Sequence, residues 1–356
     1  MDGTHLNNKI GIVGGGITGL ISAYFLSLEG YKVDLYEKKT LLSETSSKTT
    51  KLIHGGIRYL ENLQFHEVKN GINDRKWWLE NFPNETKLQE IIILSKKKLS
   101  PEIFKFFFGI KVYETFAGRS NIKTGRLYKQ DNLLSLGIKN NISAGISFYD
   151  GLMQESVGQE IIKRCKSNGV NFYENNEIKS IRSEGRIEEK QYKKIIIATG
   201  PWVSSFLKQN KIDTNKTIDY IKGSHLIINR KIKKGLMFRD QKKHRYIFAL
   251  PYQGNLLLGT TEQRVRSPED NHVLDSEVNY LLESINIYID RPINKDEIIK
   301  SYSGVRPLIK SKAQDFHSSS RDFYIQKDHN LLSLFGGKWT TAPSIARNIV
   351  RLVNNE

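Results

Sequence analysis

The chain has 356 residues, with 55 Lys and Arg against 38 Asp and Glu for a formal charge of +17, and 38% of it is hydrophobic. That length fits about two domains with an ample core, which excludes a disordered tail, a collagen-like chain or a disulfide-stapled miniature. The single cysteine, Cys165, excludes an intrachain disulfide or a multi-cysteine metal site and points to a reducing compartment.

From the N-terminus, no cleavable apolar leader precedes the first patterned segment near Lys9, so a cytoplasmic protein is expected. Lys9–Val13 reads as a strand, Ile17–Leu28 as a helix and Lys32–Tyr36 as a second strand, a βαβ unit and hence a parallel sheet. From about Asp74 to Ser143 the sequence reads as basic, helical-looking segments. Its most apolar stretch, residues 103–113, is broken by Lys105, Gly109 and Lys111, and falls short of the roughly 18 apolar residues of a spanning helix. From Asp150 helical spacing returns in Leu152, Val157, Ile161 and Ile162; strands are expected over Val170–Glu174 and Lys194–Ala198. Short alternating strands dominate from about Lys216 to Tyr324 (SHLIIN, RYIFALPY, NLLLGTT, DFYIQ), an antiparallel signature interrupted by a helix over Asp275–Tyr288. A strand over Leu331–Phe335, a Gly336-Gly337 turn and a helix from Thr341 to Leu352 close the chain.

The expected fold is α/β: a Rossmann-like dinucleotide domain on a parallel sheet, interleaved with a substrate domain on a mostly antiparallel one. Residues 1–75, 147–215 and 325–356 would form the first, and 76–146 with 216–324 the second. The first set carries 24 basic and 19 acidic residues, the second 31 and 19, so most of the positive excess lies on the substrate side.

Gly14-Gly15-Gly16-Ile17-Thr18-Gly19 places G-x-G-x-x-G between the first strand and helix. Gly14 permits the tight turn, Gly16 a close approach to pyrophosphate, and Gly19 tight helix–strand packing; the helix start at Ile17 and Thr18 presents N–H groups to phosphate. Glu37, followed by Lys38, ends the second strand 18 residues after Gly19, where a carboxylate accepts from ribose hydroxyls. The acid disfavours a 2′-phosphate, leaving FAD or NAD.

Thr45–Glu61 (TSSKTTKLIHGGIRYLE) closely resembles the FAD-dependent glycerol-3-phosphate dehydrogenases of the D-amino-acid-oxidase-like flavoprotein superfamily. The family stretch S-K-L-I-H-G-G-x-R-Y-L-E is matched by Thr50–Glu61, with Thr50 in place of serine. Six further blocks follow in family order: IATGPWV (197–203), KGSHLII (222–228), IFALPY with LLLGTTE (247–262), YSGVRPL (302–308), SRDF (320–323) and FGGKWTT (335–341). Two departures stand out. Family members usually carry a further helical C-terminal domain, and Trp339 stands where a smaller aliphatic residue is more common.

The resemblance implies FAD as cofactor and oxidation of sn-glycerol 3-phosphate to dihydroxyacetone phosphate, with hydride to flavin N5 and electrons to a quinone or other acceptor. It places Ser46, Ser47, Lys51, Leu52 and His54 along the pyrophosphate and flavin ring, with Thr199 and Gly200 in the matched IATGPWV block. It sets Gly337, Lys338, Trp339 and Thr340 at the flavin's pyrimidine edge, where a helix start steadies negative charge. Arg58, Arg306 and Arg321 are the implied anion site, guanidinium groups being planar, bidentate and permanently charged, and Tyr59 adds a hydroxyl. His225 is the candidate general base, with His54 and Lys338 competing for the role and Arg306 and Lys338 as further catalytic candidates. The alternative is an FAD oxidase or dehydrogenase of another small anion, a 2-hydroxy acid or amino acid. No nucleic-acid-binding motif is visible, so nucleic acid is not an expected partner. Peripheral contact at the inner face of a membrane suits a quinone acceptor, and no metal is expected.

Overall fold

A computed structural model describes residues 8–57, 65–96, 106–111, 115, 124–240, 245–310 and 323–355. Strand β1 (Lys9–Val13), helix α1 (Ile17–Leu28) and strand β2 (Lys32–Tyr36) form the expected βαβ unit. β1 lies parallel to β2 and, on its other side, to β11 (Lys194–Ile197). With β7 (Asn171–Tyr173), β18 (Phe323–Asp328) and β19 (Leu331–Gly336) these make a six-stranded sheet in the order β18-β19-β11-β1-β2-β7. All its pairings are parallel except the β18–β19 hairpin. Its inner strands β1, β11 and β19 are short runs rich in Ile, Val and Leu because both faces are covered. On one face α1 packs with α4 (Val157–Ser167) and the terminal α7 (Ala342–Asn354) through Leu20, Leu26, Ile161, Cys165, Ile345 and Ile349; on the other lie Ile187, Tyr192, Val203, Phe206 and Leu207.

The second sheet has ten strands. It runs β16 (Gln263–Val265), β12 (Ile218–Ile228), β15 (Asn255–Gly259), β14 (Tyr246–Tyr252), β13 (Gly235–Arg239), β4 (Thr86–Ser95), β6 (Ala144–Met153), β3 (Leu52–Ile53), with β17 (Ile298–Ile309) on β12 and β5 (Leu127–Lys129) on β6. Helix α6 (Asp275–Asn286) covers one face with Leu281, Leu282 and Ile285, while Val68 and Ile72 of α2 (Phe65–Asn81) cover the other beside Phe106 and Ile110. Two short helices, α3 (Gln130–Leu134) and α5 (Val203–Gln209), and a small three-stranded sheet β10-β9-β8 (Lys190–Gln191, Arg186–Ile187, Ile181–Arg182) complete the described elements.

Four readings of the sequence are corrected. Thr86–Ser95, inside the stretch read as helical, is a long strand, antiparallel to β6 and parallel to β13. The helical spacing read from Asp150 begins only at Val157, because Asp150–Met153 completes β6. That strand also crosses the boundary expected at residue 147 and belongs to the larger sheet, whereas the DFYIQ strand, expected in the antiparallel layer, is the edge hairpin of the parallel one. Of the aromatic stretch 103–113, residues 106–111 are described; they are helical, with Phe106 and Ile110 buried and Phe107 and Phe108 exposed. Among the described residues no helix is long and apolar enough to cross a membrane, and no group of His, Cys, Asp or Glu is arranged to hold a metal.

Candidate active site

One cavity of about 440 Å³ runs from the C-terminal end of β1 and β2 to the face of the larger sheet. At its first end the glycine turn is enforced by contact. Gly14 has φ +112°, and a Cβ there would lie 2.4 Å from the Ala198 carbonyl oxygen; a Cβ on Gly19 would lie 1.9 Å from that of Gly14. Neither clash is relieved without moving backbone, so both positions need glycine. Gly16, Ile17 and Thr18 line the cavity, and Gly19 acts beneath them as packing.

Glu37 lines the same end. Its Oε2 accepts from the Gly15 N–H at 2.7 Å and its Oε1 from the Lys39 N–H at 2.9 Å. Those bonds fix the carboxylate's orientation while each oxygen keeps lone-pair capacity for a ribose hydroxyl. Beyond it Lys38 lies over the Trp202 ring, 4.4 Å from the centroid, beside Thr199 and Gly200. The turn is braced from the side by Ser46, whose Oγ accepts from the Ile17 N–H at 3.0 Å. This set of a tight glycine turn, a pinned acid and a long cleft fits a dinucleotide.

Ser46, Leu52 and His54 line the cavity, but Ser47 and Lys51 stand off its wall. The Ser47 hydroxyl turns back to the carbonyls of Ser43 and Glu44, and the Lys51 ammonium donates to the Ser47 carbonyl at 2.9 Å. Burial lowers the Lys51 pKa to about 8. Gly337, Lys338, Trp339 and Thr340 line the opposite wall just before α7. Trp339 donates from Nε1 to the Ser46 carbonyl at 2.8 Å, and Trp78 of α2 donates to the Thr340 carbonyl at 3.2 Å. The bulky Trp339 thus latches the two sides of the cleft together.

His225 sits on β12 between β15 and β17, 2% exposed, on the cavity wall. Its ring stacks on Tyr302 at 5.0 Å, and Nε2 lies 2.9 Å from Thr50 Oγ1. Nδ1 has no hydrogen-bond partner among the described residues. Burial first, then the charges of Arg306, Lys51 and Arg245, push its pKa well below the usual value near 6.5, because burial and neighbouring cations both oppose imidazolium. The ring is therefore neutral at neutral pH.

Arg306 on β17 donates from Nη2 to Thr260 Oγ1 at 2.8 Å and faces Glu262 at 3.7 Å. Arg245, absent from the sequence-based candidates, leads into β14, is 6% exposed, pairs with Glu262 at 3.4 Å and shares the wall with Arg306. Its only signal in the sequence was a charge at the head of a strand. Arg58, Tyr59 and Arg321 lie outside the described residues. Cys165, buried in the core with its pKa pushed up to about 12 by burial, takes no part.

A family model described as FAD dependent oxidoreductase matches residues 9–352. The chain is 31% identical over 374 residues to the aerobic glycerol-3-phosphate dehydrogenase of Staphylococcus epidermidis, covering 96% of this chain and 66% of that protein. It is 28% identical over 375 residues to the glycerol-3-phosphate dehydrogenase of Pseudomonas tolaasii, covering 95% and 70%. It thus spans about two thirds of the length of these relatives. Among solved structures, the FAD complex of glycerol-3-phosphate dehydrogenase from Bacillus halodurans superposes with a TM-score of 0.73 at 20% identity, over 98% of this chain and 64% of that one. The dithionite-reduced L-alpha-glycerophosphate oxidase of Mycoplasma pneumoniae, with FAD bound, gives 0.78 at 20% identity, over 97% and 94%. These structural likenesses show a common fold.

Proposed function

The chain belongs to the family of FAD-dependent oxidoreductases, with FAD as its cofactor, and from that premise we propose that it oxidises sn-glycerol 3-phosphate to dihydroxyacetone phosphate, a quinone or another acceptor taking the electrons. The observation that carries this reading is the meeting, in the cavity that holds the glycine turn, of a buried neutral His225 with Arg306 and Arg245. The names of the relatives support the choice of substrate.

FAD, when bound, supplies the two-electron acceptor for the hydrogen on the alcohol carbon. Gly14, Gly16, Glu37 and Ser46 would hold its dinucleotide portion, and Gly337 to Thr340 its ring. The chain's own residues do the rest. Arg306, with Arg58 and Arg321, binds the phosphate and fixes the alcohol's position. His225 takes the hydroxyl proton on a ring nitrogen, and the neighbouring guanidinium groups steady the charge that develops on the oxygen. Lys338 contributes a positive charge at the opposite wall.

The test is anaerobic addition of glycerol 3-phosphate to the yellow protein. Flavin absorbance near its visible maximum is expected to bleach with this substrate and to remain with glycine or lactate. Bleaching by an amino acid or a 2-hydroxy acid, but not by glycerol 3-phosphate, would overturn the substrate assignment.

A further inference from the structure

Three of the chain's four tryptophans stand in one continuous run of ring contacts. Trp339, in the loop before α7, is half-buried on the cavity wall. Its ring centroid lies 5.6 Å from that of Trp78, which is 0% exposed, and Trp78 lies 5.1 Å from Trp77. Trp77 is half-buried and is not part of the cavity wall. The run crosses from cavity to exterior because Trp77 and Trp78 are neighbours on α2. Successive helical side chains point about 100° apart, so one takes the core side and the other the outer side. The separations are those of rings in direct edge-on or tilted contact.

The rings are held in place. Trp339 donates from Nε1 to the Ser46 carbonyl and Trp78 to the Thr340 carbonyl. Phe25 of α1 lies 5.4 Å from Trp77, and Phe82 touches both Trp77 and Trp78 at 5.7 and 5.3 Å. Bare benzene rings are much harder to oxidise than indole, so Phe25 and Phe82 pack around the run without joining it. An amide carbonyl is a poor base, so an oxidised indole at Trp339 or Trp78 keeps its proton. Trp77 is placed to lose its proton to water.

Indole is hard to reduce and yields an electron only to a strong oxidant. Electrons taken from a substrate are therefore not passed down this run, whereas a strongly oxidising group in the cavity draws electrons up it. Oxidised flavin becomes such a group when it absorbs blue light. We propose that Trp339, Trp78 and Trp77 form a path that carries electrons inward, from a thiol at the surface to light-excited FAD in the cavity. Trp339 gives one electron to the flavin and is refilled from Trp78, and Trp78 from Trp77. Trp77 releases its indole proton to water, and the radical left there takes a hydrogen atom from the thiol. Two passages give FAD two electrons, with two protons from solvent, and the two sulfur radicals join as a disulfide. The inference rests on placing the flavin ring against residues 337–340 and not on the choice of substrate.

Blue light on the FAD-loaded full chain, without oxygen and with dithiothreitol, tests it. Flavin absorbance is expected to bleach in the light, and electron paramagnetic resonance without the thiol is expected to show a tryptophanyl radical. Trp77→Phe keeps an aromatic ring but removes the oxidisable one: the long-lived radical is lost and bleaching in the light slows severalfold. Trp77→Tyr, whose phenol also gives up an electron and a proton, restores the bleaching and shows a tyrosyl radical instead. Bleaching by glycerol 3-phosphate in the dark is the same in all three proteins, which also establishes that the variants are folded and loaded. Equal light-driven rates in wild type and Trp77→Phe overturn the proposal, as do equally slow rates in both variants or the absence of a tryptophanyl radical in wild type. Dark bleaching by glycerol 3-phosphate in a protein that forms no radical removes the path alone, and a radical without dark bleaching removes the substrate assignment alone.

Discussion

At His225 the fold places an imidazole against Tyr302 and Thr50, with Arg306, Lys51 and Arg245 near enough to oppose its protonation. In the unfolded chain such a ring takes a proton as the pH falls through about 6.5; in the folded chain it does so only at lower pH. Below about 6.5 the unfolded state therefore binds more protons, and stability falls as the pH falls through that window while this group leaves it unchanged above. Urea midpoints at pH 7.5 and 5.5 should show wild type losing more stability than His225→Gln, and equal losses would mean that the folded protein protonates the ring. The same variant is expected to lower kcat by roughly 10²–10⁴-fold, the usual contribution of a general base. The KGSHL block made His225 legible as a candidate, but its isolation from water was not legible, since that depends on β15 and β17 pairing on either side of it. Arg245 was missed for a related reason: a charge at the head of an apolar run reads as a solvated strand end until β13 and β15 are seen to flank that strand.

Among the elements, α2 is the one whose role the sequence concealed. Trp78 donates to the Thr340 carbonyl and packs on Trp339 with ring centroids 5.6 Å apart, and Asp74 accepts from Ser344 at 2.7 Å and pairs with Arg347 at 3.3 Å. The helix so grips both the loop that precedes α7 and the first turns of α7 itself. Trp78→Phe keeps most of the packing but removes the donor to a buried carbonyl, at an expected cost of about 1–3 kcal/mol. Chemical denaturation should report that loss, and gel filtration should report a larger fraction of FAD-free protein. Lost stability with full FAD retention would reduce Trp78 to a packing residue. The reading of this stretch erred at β4 because Leu88, Ile91 and Ile92 stand at i, i+3 and i+4, a helical spacing, although the β-branched run Ile91–Ile93 favours a strand. The βαβ unit was legible because its signals are local: a buried strand, a glycine turn and an acid, all within 30 residues.

Across the whole molecule the charge of +17 is unevenly placed along the sequence, and residues 76–146 and 216–324 contribute +12 of it. Those stretches supply Arg245, Arg306 and His225 to the wall of the cavity. A field of that sign raises the encounter rate of an anionic substrate, and its reach shrinks with salt, from roughly 30 Å at 0.01 M to about 8 Å at 0.15 M. For glycerol 3-phosphate, kcat/KM is accordingly expected to fall by up to roughly tenfold across that range of ionic strength, with kcat nearly constant because the bound complex is already formed. The control is glycerol, which carries no charge for the field to steer. If the field steers capture, only the anionic substrate shows a salt slope. If kcat/KM for glycerol 3-phosphate stays flat across that range, the excess of lysine and arginine has no part in capture. Either outcome leaves the ordered sequence blocks as the origin of the fold, since the charge acts on the rate of arrival and the sheet registers decide what the substrate meets.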